Sequence, residues 1–189
     1  MIEEDPIKVL IEIAKILDDL KIDYYVTGGF AITIWGKPRF TADIDIVIKM
    51  AEFHGGIFAD KIQAIFPTGY IDKSQIKSAL KSIGQFNFIE PGSGLKMDFY
   101  ITKQNDFEKE CFKRSKAEDL GYQIKMISPE NLILSKLIWY REAQSDRHLE
   151  DIKSVLDTRN IDQKYLNSWV KKLGLEKEWE KAEELLNHK

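Results

Sequence analysis

Two aspartates stand two residues apart in an apolar run, Asp43-Ile44-Asp45-Ile46-Val47-Ile48. They follow the pair Gly28-Gly29 and precede a lone aspartate between apolar neighbours, Met97-Asp98-Phe99. Side chains alternate along a strand, so Asp43 and Asp45 leave one face while Ala42, Ile44, Ile46 and Ile48 leave the other. Carboxylates held a few ångströms apart repel unless a cation lies between them or one keeps its proton. A hard divalent ion is the economical answer, and Asp98 on a neighbouring strand would let three carboxylates hold two Mg²⁺ ions. Gly28-Gly29 sits where a strand turns into a helix. There, missing Cβ atoms allow close backbone approach and free N–H groups can hold phosphate oxygens. Taken alone, the pair also suits a tight turn chosen for geometry.

By the same period of two, Arg39, Thr41, Asp43 and Asp45 share a strand face: a cation, a hydroxyl and two carboxylates in one row. The plainer reading is an exposed polar face with Arg39 paired to a carboxylate. Lys96, Asp98 and Tyr100 likewise face one way, while Leu95, Met97, Phe99 and Ile101 face the core.

The elements that must position these residues follow from local signals. Asp5-Pro6 is a helix N-cap with proline at the first helical position, and Ile7, Leu10, Ile11, Ala14 and Leu17 recur at helical spacing to about Leu20. Tyr24 to Val26 reads as a short strand. Phe30 to Trp35 reads as a helix apolar almost all round, hence buried, stopped by Gly36-Lys37-Pro38. Beyond the aspartate strand, helices are expected around Ile57 to Phe66 and Lys73 to Ile83, split by Pro67-Thr68-Gly69. Phe86 to Glu90 and Leu95 to Ile101 form a hairpin around Pro91-Gly92-Ser93-Gly94. Gly121 to Ile127 is a further strand. Ser128-Pro129-Glu130 then opens a run of helices, Asn131 to Ala143, Arg147 to Thr158 and two more. The expected class is α+β: a small mixed sheet flanked by helices over residues 1–127, followed by a helical region over 128–189.

The 189 residues are 43% hydrophobic, enough for a core without disulfides. The single Cys111 lies in a charged stretch and permits neither an internal disulfide nor a metal cluster. The longest apolar stretches fall far below the roughly 20 residues that span a bilayer, and the start Met-Ile-Glu-Glu-Asp-Pro lacks a basic signal-peptide flank. A cytoplasmic protein with no membrane partner is expected. The net charge of −3, which leaves both sides of residue 127 slightly acidic, gives no global attraction to nucleic acid. An RNA partner would need a local patch.

Gly28-Gly29, thirteen residues, Asp43-Ile44-Asp45-Ile46 and the later Met97-Asp98-Phe99 together resemble the signature of the DNA polymerase β-like nucleotidyltransferase superfamily over residues 25–101. The resemblance implies that Gly28-Gly29 and the helix after them bind nucleotide phosphates. It also implies that Asp43, Asp45 and Asp98 bind two Mg²⁺, with Asp98 helping to activate the nucleophile. The stretch Ser128 to Leu137 is similar to the helix after the catalytic sheet in minimal prokaryotic members, including abortive-infection AbiEii-type toxins. There a lysine of this helix and an acid of the next complete the site, roles that fall on Lys136 and Asp151. Where those toxins carry Arg-x-Lys-Asp-x-x-Asp, this chain has Ser145-Asp146-Arg147-His148-Leu149-Glu150-Asp151, so His148 stands in the place of the first acid.

Lys136 lies between Leu132 and Tyr140 on a helix apolar on most sides. A cation there needs an anionic partner, either a triphosphate or Asp98, unless it snorkels to solvent. His148 suits a base, a phosphate ligand or a structural role. Arg147 and Asp151 are spaced for an ordinary helical ion pair. His54 and His188 have no ligand-like spacing, and Glu176 to Glu184 reads as a solvated amphipathic helix.

The expected activity is transfer of an NMP unit from an NTP such as ATP to a hydroxyl, with release of pyrophosphate. Asp43, Asp45, Asp98 and Lys136 would be catalytic, and Gly28, Gly29, Arg39, Thr41, His148 and Asp151 nucleotide-binding. A small molecule, a tRNA end and a protein side chain all stand as acceptors. The alternatives are a non-catalytic binding module of a toxin–antitoxin or regulatory pair, with a protein partner on the helical part, and a Mg²⁺-dependent phosphodiesterase or nuclease.

Overall fold

The computed structural model describes residues 5–41 and 43–187, so the expectations for the N-terminal flank, Ala42 and His188 lie outside the described residues. In chain order the elements are α1 (Pro6–Asp19), β1 (Asp23–Thr27), α2 (Gly28–Trp35), β2 (Asp43–Lys49), α3 (His54–Ile65), β3 (Tyr70–Ile71), α4 (Lys73–Ser82), β4 (Gln85–Glu90), β5 (Leu95–Ile101), α5 (Asp106–Arg114), β6 (Lys116–Asp119), β7 (Gln123–Met126), α6 (Pro129–Ala143), α7 (Asp146–Thr158), α8 (Gln163–Leu173) and α9 (Glu176–Asn187). Two compact units result: Met1–Phe30 with Thr41–Ile127, and Ala31–Phe40 with Ser128–Lys189. Residues 31–40 therefore belong with the C-terminal helices, which a cut in sequence order at residue 127 does not capture.

Helix starts follow the capping signals. Asp5 accepts from the Ile7 N–H ahead of Pro6, and Ser128 accepts from Asn131 ahead of Pro129. α5 has its own cap, Asn105 on the Glu108 N–H. It was not expected as a helix because its apolar positions are few.

The first unit holds a seven-stranded mixed sheet in the order β3-β4-β5-β2-β1-β7-β6. β2 runs parallel to β5 and antiparallel to β1. β3, of two residues, and β6, short and polar, carry no legible period and extend the two edges. The expected alternation in β2 is observed: Ile44, Ile46 and Ile48 are buried, and Asp43, Asp45 and Val47 are half-buried. On the apolar side of β5, the Phe99 ring stacks on Phe86 with centroids 5.0 Å apart and takes the edge of Phe58 from α3 at 5.4 Å. This aromatic cluster fixes the strand whose other side carries Lys96, Asp98 and Tyr100.

In the second unit α6 packs against α7, α8 and α9. Leu132, Ile133, Leu134 and Leu137 are wholly buried, as expected for a helix apolar on most sides. α9 is amphipathic as expected, burying Trp179 and Ala182.

Phe99→Ala removes the ring shared by Phe58 and Phe86. It is expected to cost about 3–5 kcal/mol in urea denaturation, as for other large-to-small changes in packed cores.

Candidate functional site

The first unit's candidate site is built by register. Across β2 and β5, Asp45 stands opposite Asp98 and Asp43 opposite Lys96. β1 places Thr27 beside Asp45, and β4 places Asn87 beside Asp98. Directly paired residues point to the same side, so Thr27, Asp45, Asp98 and Asn87 form one polar row across four strands. Thr27 and Asn87 were not anticipated, since only register reveals them.

Hydrogen bonds tie this face together. Tyr100 donates its hydroxyl to Asp45 Oδ1 at 3.3 Å. Burial first, then the charges of Asp45 and Asp98, the hydrogen bond to Asp45 and the charge of Asp43 push its pKa above the usual phenol range and keep it protonated. Lys96 Nζ lies 2.7 Å from Asp98 Oδ2, with Asp98 nearly buried and Lys96 43% exposed. Thr41 Oγ1 lies 3.1 Å from the Asp43 carbonyl and 3.3 Å from its Oδ1.

Gly28, with φ +66°, adopts the left-handed conformation that glycine tolerates best. A Cβ there would overlap the Asp45 carboxylate. The turn into α2 and the aspartate therefore share one space. Gly29 occupies the first turn of α2, where the opening N–H groups lack helical partners.

Among the described residues no three His, Cys, Asp or Glu side chains converge as a ready-made metal cluster. Three carboxylates, Asp43, Asp45 and Asp98, the oxygen donors a hard cation takes, leave one face, and the Lys96 ammonium meets Asp98.

The second unit carries a cationic group. Asp151, on α7 and buried, accepts from Arg39 Nε at 2.8 Å and Nη2 at 3.0 Å. Lys136 Nζ on α6 lies 2.8 Å from Asp151 Oδ2. Two cations share one carboxylate, leaving one net positive charge. Burial pushes the Asp151 pKa up, but the hydrogen bonds and charges of Arg39 and Lys136 outweigh it and hold it below the ordinary carboxylate value. Lys136 is 9% exposed at its side chain, so it does not snorkel, and its anionic partner is Asp151 rather than Asp98.

Arg39 departs from the expected row. The strand begins at Asp43, so Arg39 and Thr41 precede it, and Arg39 turns to Asp151. Asp151 likewise pairs with Arg39 and Lys136 instead of making the surface pair expected with Arg147, because a buried carboxylate faces the buried cations.

His148, one turn before Asp151, has a lowered pKa. Burial comes first among the causes, then the charge of Lys136, opposed by Asp151 and reinforced by Arg147 and Arg39. It is neutral at pH 7, and its Nδ1 is buried without a hydrogen-bond partner. Arg39 and Asp151 also border a cleft of about 550 Å³ lined further by Lys37, Pro38, Arg147 and Glu150.

No protein-family model and no curated protein matches this chain. Solved structures do resemble it. ANT(2'')-Ia in complex with adenylyl-2''-tobramycin is 14% identical at a TM-score of 0.55, covering 88% of this chain and 97% of that one. The lincosamide antibiotic adenylyltransferase LnuA, lincomycin-bound, is 17% identical at a TM-score of 0.54, covering 80% and 97%. The chain has the nucleotidyltransferase fold. No helix among the described residues is long and apolar enough to cross a membrane.

Gly28→Ala is expected to cost about 2 kcal/mol in chemical denaturation, from left-handed strain plus the displaced Asp45 carboxylate. Asp151→Asn leaves Arg39 and Lys136 without their anion and is expected to cost about 3 kcal/mol at pH 7. Because the folded-state pKa of Asp151 is depressed, its pairs contribute in full above the ordinary value of 3.8 and fade as pH falls through the lower folded value. Urea midpoints measured from pH 6 to pH 2 should therefore converge for wild type and variant only at the acidic end.

Proposed function

We propose that the protein is a nucleotidyltransferase that moves an NMP unit from an NTP to a hydroxyl acceptor and releases pyrophosphate. The observation that carries this reading is the register of Asp45 against Asp98, with Asp43 on the same face and the Asp45 carboxylate seated against Gly28.

In this reading the opening N–H groups of α2, at Gly28 and Gly29, take phosphate oxygens, since a helix N-terminus favours anions. Asp43, Asp45 and Asp98 would hold two Mg²⁺ ions, which when bound neutralise triphosphate charge and acidify the acceptor hydroxyl. In this reading Asp98, itself nearly buried, accepts the hydroxyl proton. Tyr100 stays protonated and fixes one Asp45 oxygen through its hydrogen bond. Thr41 orients Asp43 in the same way.

In the second unit, Arg39 and Lys136 around Asp151, with His148 neutral, carry net positive charge suited to a phosphate-bearing ligand. The Lys136 to Asp151 pair supports the narrower likeness to abortive-infection-type enzymes, with His148 as the point of departure. A protein partner of the toxin–antitoxin kind belongs to that narrower form. The solved structures, one bound to adenylyl-2''-tobramycin and one to lincomycin, support ATP as donor and a small-molecule hydroxyl as acceptor over a tRNA end or a protein side chain.

The test incubates the protein with each α-labelled NTP, Mg²⁺ and acceptor fractions from a cell extract. Label should move to a small-molecule fraction, with Asp43→Asn and Asp45→Asn each slowing transfer about a hundredfold to a thousandfold, the scale on which loss of electrostatic transition-state stabilisation acts. Folded wild type that transfers nothing from any NTP would make the chain a binding module. Phosphodiester cleavage without pyrophosphate release would make it a nuclease.

A further inference from the structure

Lys96 has no part in the reading above, yet it sits among the carboxylates. It pairs in register with Asp43 across β2 and β5 and precedes Asp98 by two residues, so its side chain leaves the same face as both. Its ammonium reaches Asp98 Oδ2 at 2.7 Å. The Asp98 side chain is only 8% exposed, and a carboxylate so far out of water needs a counter-charge. Lys96 supplies it from the solvent side, with its own side chain 43% exposed.

A lysine is suited to leaving as well as to holding. Its contact is a single point charge on a flexible four-carbon stem, and it recovers hydration by swinging outward. Asp98 lacks that freedom, because its strand is fixed by the Phe58, Phe86 and Phe99 rings packed on the opposite face. A divalent ion approaching Asp98 thus meets an immobile carboxylate already occupied by a removable cation.

We propose that Lys96 is a resident counter-cation: it holds Asp98 in the metal-free protein and competes with the divalent ion for the Asp98 carboxylate. This rests on the metal-binding role of Asp98 proposed above. Lys96 is then a positioning residue that sets how much divalent ion the site needs, and its ammonium is released toward solvent when the ion binds.

The experiment measures Mn²⁺ binding by electron paramagnetic resonance, with Mn²⁺ as the probe for Mg²⁺, on wild type, Lys96→Met, Lys96→Arg and Asp45→Asn, alongside thermal midpoints with and without Mn²⁺. Lys96→Met should bind Mn²⁺ about twofold to fivefold more tightly than wild type, the scale of a partly exposed ion pair. It should also melt lower than wild type without metal and recover with it. Lys96→Arg keeps the charge in a fork suited to carboxylates and should bind Mn²⁺ no more tightly than wild type. That variant carries the test if Lys96→Met fails to fold, and tighter binding by it would overturn the proposal. Equal or weaker Mn²⁺ binding by a folded Lys96→Met would overturn the role of Lys96 while leaving the metal site standing. Wild-type binding no stronger than that of Asp45→Asn would remove the metal reading itself, and this proposal with it.

Discussion

Three carboxylates leaving one face of two adjacent parallel strands cannot be left to repel one another, and the first unit is organised around that constraint. Asp45 and Asp98 are held opposite each other by the β2–β5 register, which is in turn held by the isoleucines and phenylalanines on the reverse face. Their charge is met locally: Tyr100 donates to one oxygen of Asp45, Lys96 covers one of Asp98, and Thr41 meets Asp43. Even the backbone at Gly28 answers to it, because the Asp45 side chain fills the space a Cβ would need. The strand pairing thus determines the electrostatics and the turn alike.

The second unit contains the same problem with the signs exchanged. α6 is buried on most sides, so a lysine within it cannot reach water and must find an anion inside the unit. α7 provides Asp151, and Arg39 joins from the segment after α2 to grip both its oxygens. Burial first, and then the surplus positive charge, lowers the pKa of the neighbouring His148.

These arrangements differ in how far they can be read from sequence. Alternation against an apolar face made Asp43, Asp45, Asp98 and Tyr100 legible, because a period of two assigns each residue to a side without knowledge of its neighbours. Asp5-Pro6 and Ser128-Pro129 were equally plain, since capping is local. What escaped was non-local. Thr27 and Asn87 join the polar row only through pairing with other strands. Arg39 was assigned to the aspartate row because the period was carried back beyond the strand's start at Asp43, and its true partner lies 112 positions away. For Lys136 the need for a buried anion was legible from its apolar surroundings, but the identity of that anion depended on how α7 packs on α6. The short edge strands β3 and β6 offered too few residues for any period to register.

The residue types at the two ion-paired centres carry a last distinction. Asp151 is gripped by a guanidinium through two parallel hydrogen bonds and by a lysine that is itself buried, so neither Asp151 nor Lys136 can lose the other without leaving a charge away from water. Asp98 is met by one ammonium through one contact, on a side chain that reaches solvent along its own length. Arginine's rigid fork makes a lasting joint and lysine's flexible stem an exchangeable one. A buried joint in the helical unit and a part-exposed ion pair on the sheet are therefore different solutions to carboxylate burial.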